Sequence, residues 1–346
     1  MNEAVKNITI HTGGHKSVVS LGESYKNLHN HLPSDNVIII TDENLFHYYE
    51  EFLSSFKSII IGSGEKIKTM DTLAIIYERM AEMNADRTWF VVGFGGGIVC
   101  DIAGFAASTY MRGLPFGFVS TTLLSQVDAS VGGKNGVNFK GFKNMIGVFN
   151  QPEFVICDYE QLKTLPKVDY TGGFAEIIKH AIIKDARMFG YLEQHITSAV
   201  EGNREAIHHL VSRSVEIKAA VVEEDEREHG ERKKLNLGHT FGHSIEKLKG
   251  IPHGQAVSLG MVMAAKVSEK KGYITDSETN RIENLLLAAG LPVKPQFDPM
   301  ELVETMAKDK KREGEKIKLI LIKEIGEAII ETVQISELEE IAHDLR

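Results

Sequence analysis

Residues 88–107 read TWFVVGFGGGIVCDIAGFAA: an apolar run of strand length, a cluster of glycines, then small and apolar residues at helical spacing. Strand, glycine turn and helix in that order form the unit from which an open parallel sheet is built. The same pattern recurs on either side. VKNITIHT, VIIITDENL, SIIIGSGE and FGFVST are short apolar runs ending in turn formers, and MDTLAIIYERMAEM between them has helical periodicity. The first part of the chain is therefore expected to be an α/β domain with an open, mostly parallel sheet, ending near FVICD at 154–158. Beyond Asp158 glycine thins out, and YTGGFAEIIKHAIIKDARMFGYLEQH and EAIHHLVSRSVEIKAAVVEE carry apolar residues at helical spacing. Residues 159–346 are expected to form a mainly α-helical domain, with one hairpin in IKLILIKEIGEAIIETV. No Pro/Gly/Ser-rich linker divides the halves, so the domains 1–158 and 159–346 are expected to pack closely and share a cleft.

The chain has 346 residues, 42% hydrophobic and 25% charged, which suits a globular protein with room for two cores. Its net charge of -9 argues against nonspecific nucleic-acid binding. An anionic small molecule would need a local cluster of lysines and arginines. The longest apolar stretch, near Trp89 to Cys100, is broken by glycines and ends at Asp101, too short to span a membrane. Cys100 and Cys157 form no CxxC pair, and MNEAVKN has no signal-peptide character. A reducing, cytoplasmic setting is expected.

Several segments carry chemistry. Gly95, Gly96 and Gly97 stand where bare backbone N–H groups and a helix N-terminus can cradle a pyrophosphate. The string departs from GxGxxG, so a plain tight turn stays open. Asp42, at the end of a second strand, suits a ribose hydroxyl or is simply a turn acid. STTLLSQVDASVGGKNGVNFKGFKNMIG, residues 120–147, crowds polar groups into a loop-rich stretch in which Lys134 and the Lys143–Asn144 pair suit a phosphate or carboxylate. GGFAEIIKHAII sets Glu176, Lys179 and His180 at i, i+3 and i+4, a spacing that a surface salt bridge also explains. In LNLGHTFGHSIEKLKGIPHG, residues 235–254, His239 and His243 share a helix face, and Pro252 and Gly254 put His253 on a following turn. Glu176 with two of these imidazoles has the composition of a catalytic zinc centre with an open position. EEDEREHGERKK and KDKKREGEK read by default as solvated faces.

Taken in order, GGG with an aspartate four residues on, RG, TTLL, QVDASVGGK, FKN, AEIIKH, LNLGHTFGH, HG and DKK resemble the 3-dehydroquinate synthase family of sugar-phosphate cyclases. The resemblance runs from about residue 41 to 325. It implies zinc, or another divalent metal such as cobalt, on Glu176, His239 and His253, with His243 relaying protons. It implies NAD on Asp42, Glu65, Lys68, Gly95, Gly96, Gly97, Asp101, Thr121 and Thr122, with Asp128, Lys134, Lys143 and Asn144 adjoining. Around a sugar-phosphate substrate it implies Asp128, Lys134, Asn144, Lys179, Lys218, Arg232, Asn236 and Lys310 or Lys311. Arg112 would reach the neighbouring site of a homodimer. The implied reaction converts 3-deoxy-arabino-heptulosonate 7-phosphate to 3-dehydroquinate and phosphate by transient oxidation, elimination, re-reduction and aldol closure. Three positions depart from the family pattern: Ser120 in STTLL, Asn135 in GGKN and Gln255 in HGQ, the last bearing on support for the metal. Another cyclase, a metal-dependent polyol dehydrogenase and a non-catalytic binding module are the competing readings.

Overall fold

A computed structural model describes residues 5–295, 298–307 and 316–344. The chain divides into two compact units, Met1–Leu165 with Lys218–Glu226, and Pro166–Ile217 with Arg227–Arg346.

The first unit is built on a sheet of β1 (Lys6–Thr12), β2 (His15–Leu21), β3 (Val37–Asp42), β4 (Lys57–Ile61), β5 (Phe90–Gly95), β6 (Phe116–Ser120) and, after a separate hairpin, β9 (Phe154–Cys157). That hairpin is β7 (Lys134–Phe139) and β8 (Phe142–Phe149). Strand order in the sheet is β1-β2-β9-β6-β5-β3-β4, and every pair except β1–β2 is parallel. All six residues of β5 are buried, as a central parallel strand requires. Phe90, Val92 and Phe94 alternate onto one face and join Val37, Ile39, Val119 and Ile156 in a core. Each such side chain contributes roughly 1.5–3 kcal/mol on burial. Helices α1 (Glu43–Tyr48), α2 (Glu50–Leu53), α3 (Met70–Glu82) and α4 (Gly97–Thr109) complete the unit. Helix α4 approaches the sheet closely because Gly93 faces it: a Cβ there would lie 2.9 Å from that of Ala103.

Two hairpins escape the sequence reading. In the first, Gly13 and Gly14 both take positive φ between β1 and β2, as a two-residue strand reversal requires. In the second, Lys140 (φ 46°) and Gly141 (φ 80°) turn β7 into β8 within the stretch read above as loop-rich. A lysine in the first left-handed position hides that turn from pattern reading.

The second unit holds α5 (Lys167–Lys184), α6 (Ala186–Val200), α7 (Arg204–Glu224, whose end belongs to the first unit), α8 (His239–Lys249), α9 (His253–Lys270), α10 (Asp276–Ala288), α11 (Pro299–Ala307) and α12 (Ile335–Asp344). The expected late hairpin is β10 (Lys316–Glu324) with β11 (Glu327–Gln334). Residues Thr171–Ile183 of α5 are all buried, so it is a core helix and not an amphipathic surface one. No helix among the described residues is long and apolar enough to cross a membrane.

Candidate active site

In the first unit, the register of the parallel strands gathers the expected nucleotide-side residues at one edge. Thr41 is level with Phe94, and Gly95 is level with Ser120. Asp42, Gly95–Gly97, Thr121 and Thr122 therefore follow the carboxyl ends of adjacent strands, where open α/β sheets bind ligands. The glycines are demanded by the protein itself. A Cβ would meet Val99 at 2.5 Å from Gly95, Thr122 at 2.8 Å from Gly96 and Ala129 at 2.8 Å from Gly97. Gly96 caps α4 with no side-chain hydrogen bond, which keeps the first turn's N–H groups clear of side-chain caps. Asp42 Oδ1 accepts from the backbone N–H groups of Asn44 and Leu45 at 2.9 and 3.0 Å, and burial raises its pKa. The Thr122 hydroxyl is tied to Ser125 Oγ at 2.9 Å, inside its own turn.

Behind this edge, Lys68 is 6% exposed and donates to Asp101 and to Asn144 Oδ1. Burial raises the Asp101 pKa and Lys68 opposes that shift. Asn144 itself has φ 51°, and its N–H donates to Asn138 Oδ1 at 2.9 Å. Asn138 Nδ2 in turn donates to Glu65 Oε1 at 2.7 Å. The structure thus joins Glu65, Lys68, Asp101 and Asn144 in one network through Asn138, a residue the sequence reading passed over. Lys134 and Lys143 lie exposed on β7 and β8. Lys218 is buried and donates to both the carbonyl and the carboxylate of Asp128, in a π-helical turn at Ser125–Ala129. Around Arg112, Met111, Arg112 and Gly113 take φ of 49°, 71° and 122° in succession. Two non-glycine residues held there mark a strained segment.

Two of the three departures have a structural account. Asn135 donates to the carbonyls of Gly133 and Asn150 at 3.1 and 2.8 Å, pinning the hairpin ends. It fits because position 104 is glycine, where a Cβ would lie 2.1 Å from Asn135 Oδ1. Ser120 donates to Ser125 Oγ at 2.6 Å inside the core.

In the second unit, Glu176 and Lys179 form an ion pair on the buried face of α5, so the surface salt bridge that their spacing allowed does not apply. His239 and His253 are the first residues of α8 and α9. Only Gly250–Pro252 separates those helices, with Gly250 at φ 64°. Helix α9 meets α5 glycine to glycine: a Cβ on Gly254 would lie 2.4 Å from Gly172 Cα. It meets the start of α8 the same way, a Cβ on Gly260 falling 2.0 Å from the Gly238 carbonyl oxygen.

These contacts bring His239 Nε2 and His253 Nε2 to 3.6 and 3.5 Å from the same oxygen, Glu176 Oε1. Ligand atoms of the three residues all lie within 4.8 Å of one another. That spacing is long for a hydrogen bond and close to the ~3.3–3.4 Å that separates donors about 2.0–2.1 Å from a tetrahedral metal. The rings are oriented for it. His239 Nδ1 faces the Leu237 carbonyl at 3.2 Å and His253 Nδ1 faces Glu246 Oε1 at 2.9 Å, so protonation at Nδ1 leaves each Nε2 lone pair toward Glu176. The residues fit a divalent metal with one carboxylate and two imidazoles. Burial holds the His239 pKa down to about 3; at His253 burial acts the same way but the Glu176 and Glu246 carboxylates outweigh it and raise the pKa to about 9. His243, one turn beyond His239, lies edge-on to that ring with centroids 5.5 Å apart.

The charge-dense 223–234 segment is not wholly solvated, contrary to its default reading. Arg232 is 1% exposed, and Glu228, at φ 61°, accepts from Asn236 Nδ2. No pattern in the sequence singles out Glu228. Glu246, also missed, had a signal: it falls seven residues from His239, on the same helix face. It, and not the residue at 255, is the acceptor for the His253 ring. Lys310 and Lys311 lie outside the described residues.

A model of the 3-dehydroquinate synthase N-terminal region matches residues 58–171, and a model of the C-terminal region matches 173–312. The 3-dehydroquinate synthase of Halorhodospira halophila is 42% identical over 308 residues, 87% of each chain. That of Nitrosomonas europaea is 43% identical, covering 86% of this chain and 84% of the relative. Among solved structures, a 2-deoxy-scyllo-inosose synthase complexed with carbaglucose-6-phosphate, NAD+ and Co2+ superposes with a TM-score of 0.88 at 25% identity, covering 98% of this chain and 100% of that one. The 2-epi-5-epi-valiolone synthase of Streptomyces hygroscopicus, with NAD+ and Zn2+ bound, gives 0.87 at 28% identity, covering 99% and 98%. An iron-containing alcohol dehydrogenase shares the fold alone, at 0.62 and 18% identity. Sequence and architecture agree: the chain belongs to the 3-dehydroquinate synthase family.

Proposed function

We propose that this protein is a 3-dehydroquinate synthase, converting 3-deoxy-arabino-heptulosonate 7-phosphate to 3-dehydroquinate and inorganic phosphate as a carbon–oxygen lyase of the shikimate pathway. The observation that carries the reading is the carboxylate oxygen of Glu176 flanked by two imidazole Nε2 atoms in a chain 42–43% identical to curated 3-dehydroquinate synthases.

Glu176, His239 and His253 would hold zinc or cobalt, and the strand-end residues Asp42, Gly95–Gly97, Thr121 and Thr122 would hold NAD, with Glu65, Lys68 and Asp101 in support. When bound, the metal would supply Lewis-acid polarisation of a hydroxyl and the nucleotide reversible hydride transfer. The remaining work falls to the chain. Lys134, Lys143, Lys179, Lys218, Arg232, Asn144 and Asn236 engage the substrate's phosphate and carboxylate, and Asp128 orients the Lys218 ammonium. They supply the local positive charge that the chain as a whole lacks. One of Lys310 or Lys311 joins them. His243 moves a proton at a ring nitrogen beside the His239 ligand.

The protein works as a homodimer in the cytoplasm. Exposed Phe139, Phe142, Met145 and Phe149 on the β7–β8 hairpin, with Met111 next to strained Arg112, support a partner chain and the placing of Arg112 near its phosphate. Buried, unpaired Cys100 and Cys157 suit a reducing compartment.

The test is incubation with Zn2+, NAD and the heptulosonate phosphate, following phosphate, carbocycle and absorbance of reduced nucleotide. Phosphate and dehydroquinate in equal amounts with no accumulating NADH are expected. Turnover of sedoheptulose 7-phosphate instead would move the substrate to another cyclase, and net NADH would point to a dehydrogenase.

A further inference from the structure

We propose that Glu246 is a positioning residue for the metal centre, setting the basicity and angle of the His253 ring; this rests on the metal reading of Glu176, His239 and His253. The two imidazoles are supported differently. The Nδ1 acceptor of His239 is a main-chain carbonyl, that of Leu237, which no substitution removes. The acceptor of His253 is a side-chain carboxylate, Glu246 Oε1 at 2.9 Å, 8% exposed at its side chain. A negative charge on Nδ1–H makes the opposite nitrogen a stronger donor to a cation, and it also restricts ring rotation.

The backbone commits Glu246 to this task. It stands two turns beyond His239 on α8, and its carbonyl accepts the Gly250 N–H at 2.8 Å, closing the helix. The chain then reverses through Gly250–Pro252 and delivers His253 as the first residue of α9. First and last turns of one helix thus hold one ligand and brace the other. The carboxylate that faces the His253 ring is thus on the preceding helix, at Glu246, and not at position 255 on the ring's own helix.

The test is metal affinity of the full chain, stripped with chelator and titrated with Zn2+ or Co2+ against a chelating dye. Wild type is expected to bind one ion per chain. Glu246→Gln keeps an oxygen acceptor and removes the charge; Glu246→Leu removes both. Affinity is expected to fall about 10- to 100-fold, more for Leu than for Gln, with Glu246→Asp recovering part of the loss and the absorption of bound Co2+ shifting in each variant. Unchanged affinity and an unchanged Co2+ spectrum in Glu246→Gln would overturn the proposal, as would a fall in metal-free melting temperature with affinity intact, the mark of a structural role. Absence of stoichiometric binding by wild type itself would instead overturn the metal reading beneath it.

Discussion

Glu176 and Lys179 form an ion pair, one turn apart on α5, with side chains 0% and 1% exposed. Removing the cation of a buried ion pair costs about 3–5 kcal/mol, or less where, as at Glu176, an imidazole ring also faces the carboxylate. Lys179→Met should therefore destabilise the metal-free protein by up to about that amount, measured by urea unfolding with chelator present. Added Zn2+ should restore much of the loss, because a dication can take over the role of the ammonium beside Glu176. Equal destabilisation with and without metal would contradict a metal at that carboxylate.

Gly254→Ala tests how the ligands are gathered. The added methyl would lie 2.4 Å from Gly172 Cα, main chain that cannot step aside as a side chain can. Helix α9 must shift and carry His253 with it. A stability loss of about 1–3 kcal/mol is expected, together with weaker Zn2+ binding in the dye titration; normal binding would show that the close approach of α5 and α9 is not what places His253.

Metal-free protein should have a pH profile set partly by two rings. His253, raised to about 9, gives stabilisation that is complete below pH 6.5 and is lost as pH climbs through 9. His239, held to about 3, stays neutral while the unfolded ring takes up a proton, so its penalty grows as pH falls from 6.5 toward 3. Their joint contribution is greatest near pH 6.5. Melting curves of the chelated protein and of His253→Ala should diverge less at pH 9 than at pH 6.5; a constant gap would refute the assignment.

Asn138 should matter without touching a ligand. Its amide holds Glu65 on one side and the N–H of left-handed Asn144 on the other. Asn138→Ala removes two hydrogen bonds worth about 1 kcal/mol each, and NAD affinity measured by fluorescence titration should fall about fivefold or more. Unaltered NAD binding would detach this network from the nucleotide.

Both thiols should be silent in the native protein. Cys100 and Cys157 are 1% and 0% exposed, and burial raises both pKa values. A thiol reagent should label neither in buffer and both in denaturant; rapid native labelling would contradict their packing.

What could be read from sequence was what repeats at short range. The strand–glycine–helix unit around Gly95–Gly97 has a pattern, and so do the helical periods of α5, α6 and α7. The β7–β8 hairpin has none, because Lys140 occupies a position that commonly signals itself with asparagine or glycine. At the site, residue types named the candidates, and Glu176, His239 and His253 lie together. The residues that support the candidate sites were less legible. Asn138 and Glu228 are ordinary polar residues in polar segments, and only three-dimensional contacts set them apart. Glu246 was hidden by the pull of position 255, two residues from the ligand it was taken to assist.

The glycine pairs 172–254 and 238–260 carry a consequence for how such a centre can diverge. Separation of the helix starts that bear His239 and His253 is gauged by main chain against main chain, so it does not depend on the size of any side chain. Loops and surface positions around the centre can be rewritten, and with them the choice of sugar phosphate, while the ruler between the ligands keeps its length. A designer wishing to retarget this scaffold has four positions to leave untouched.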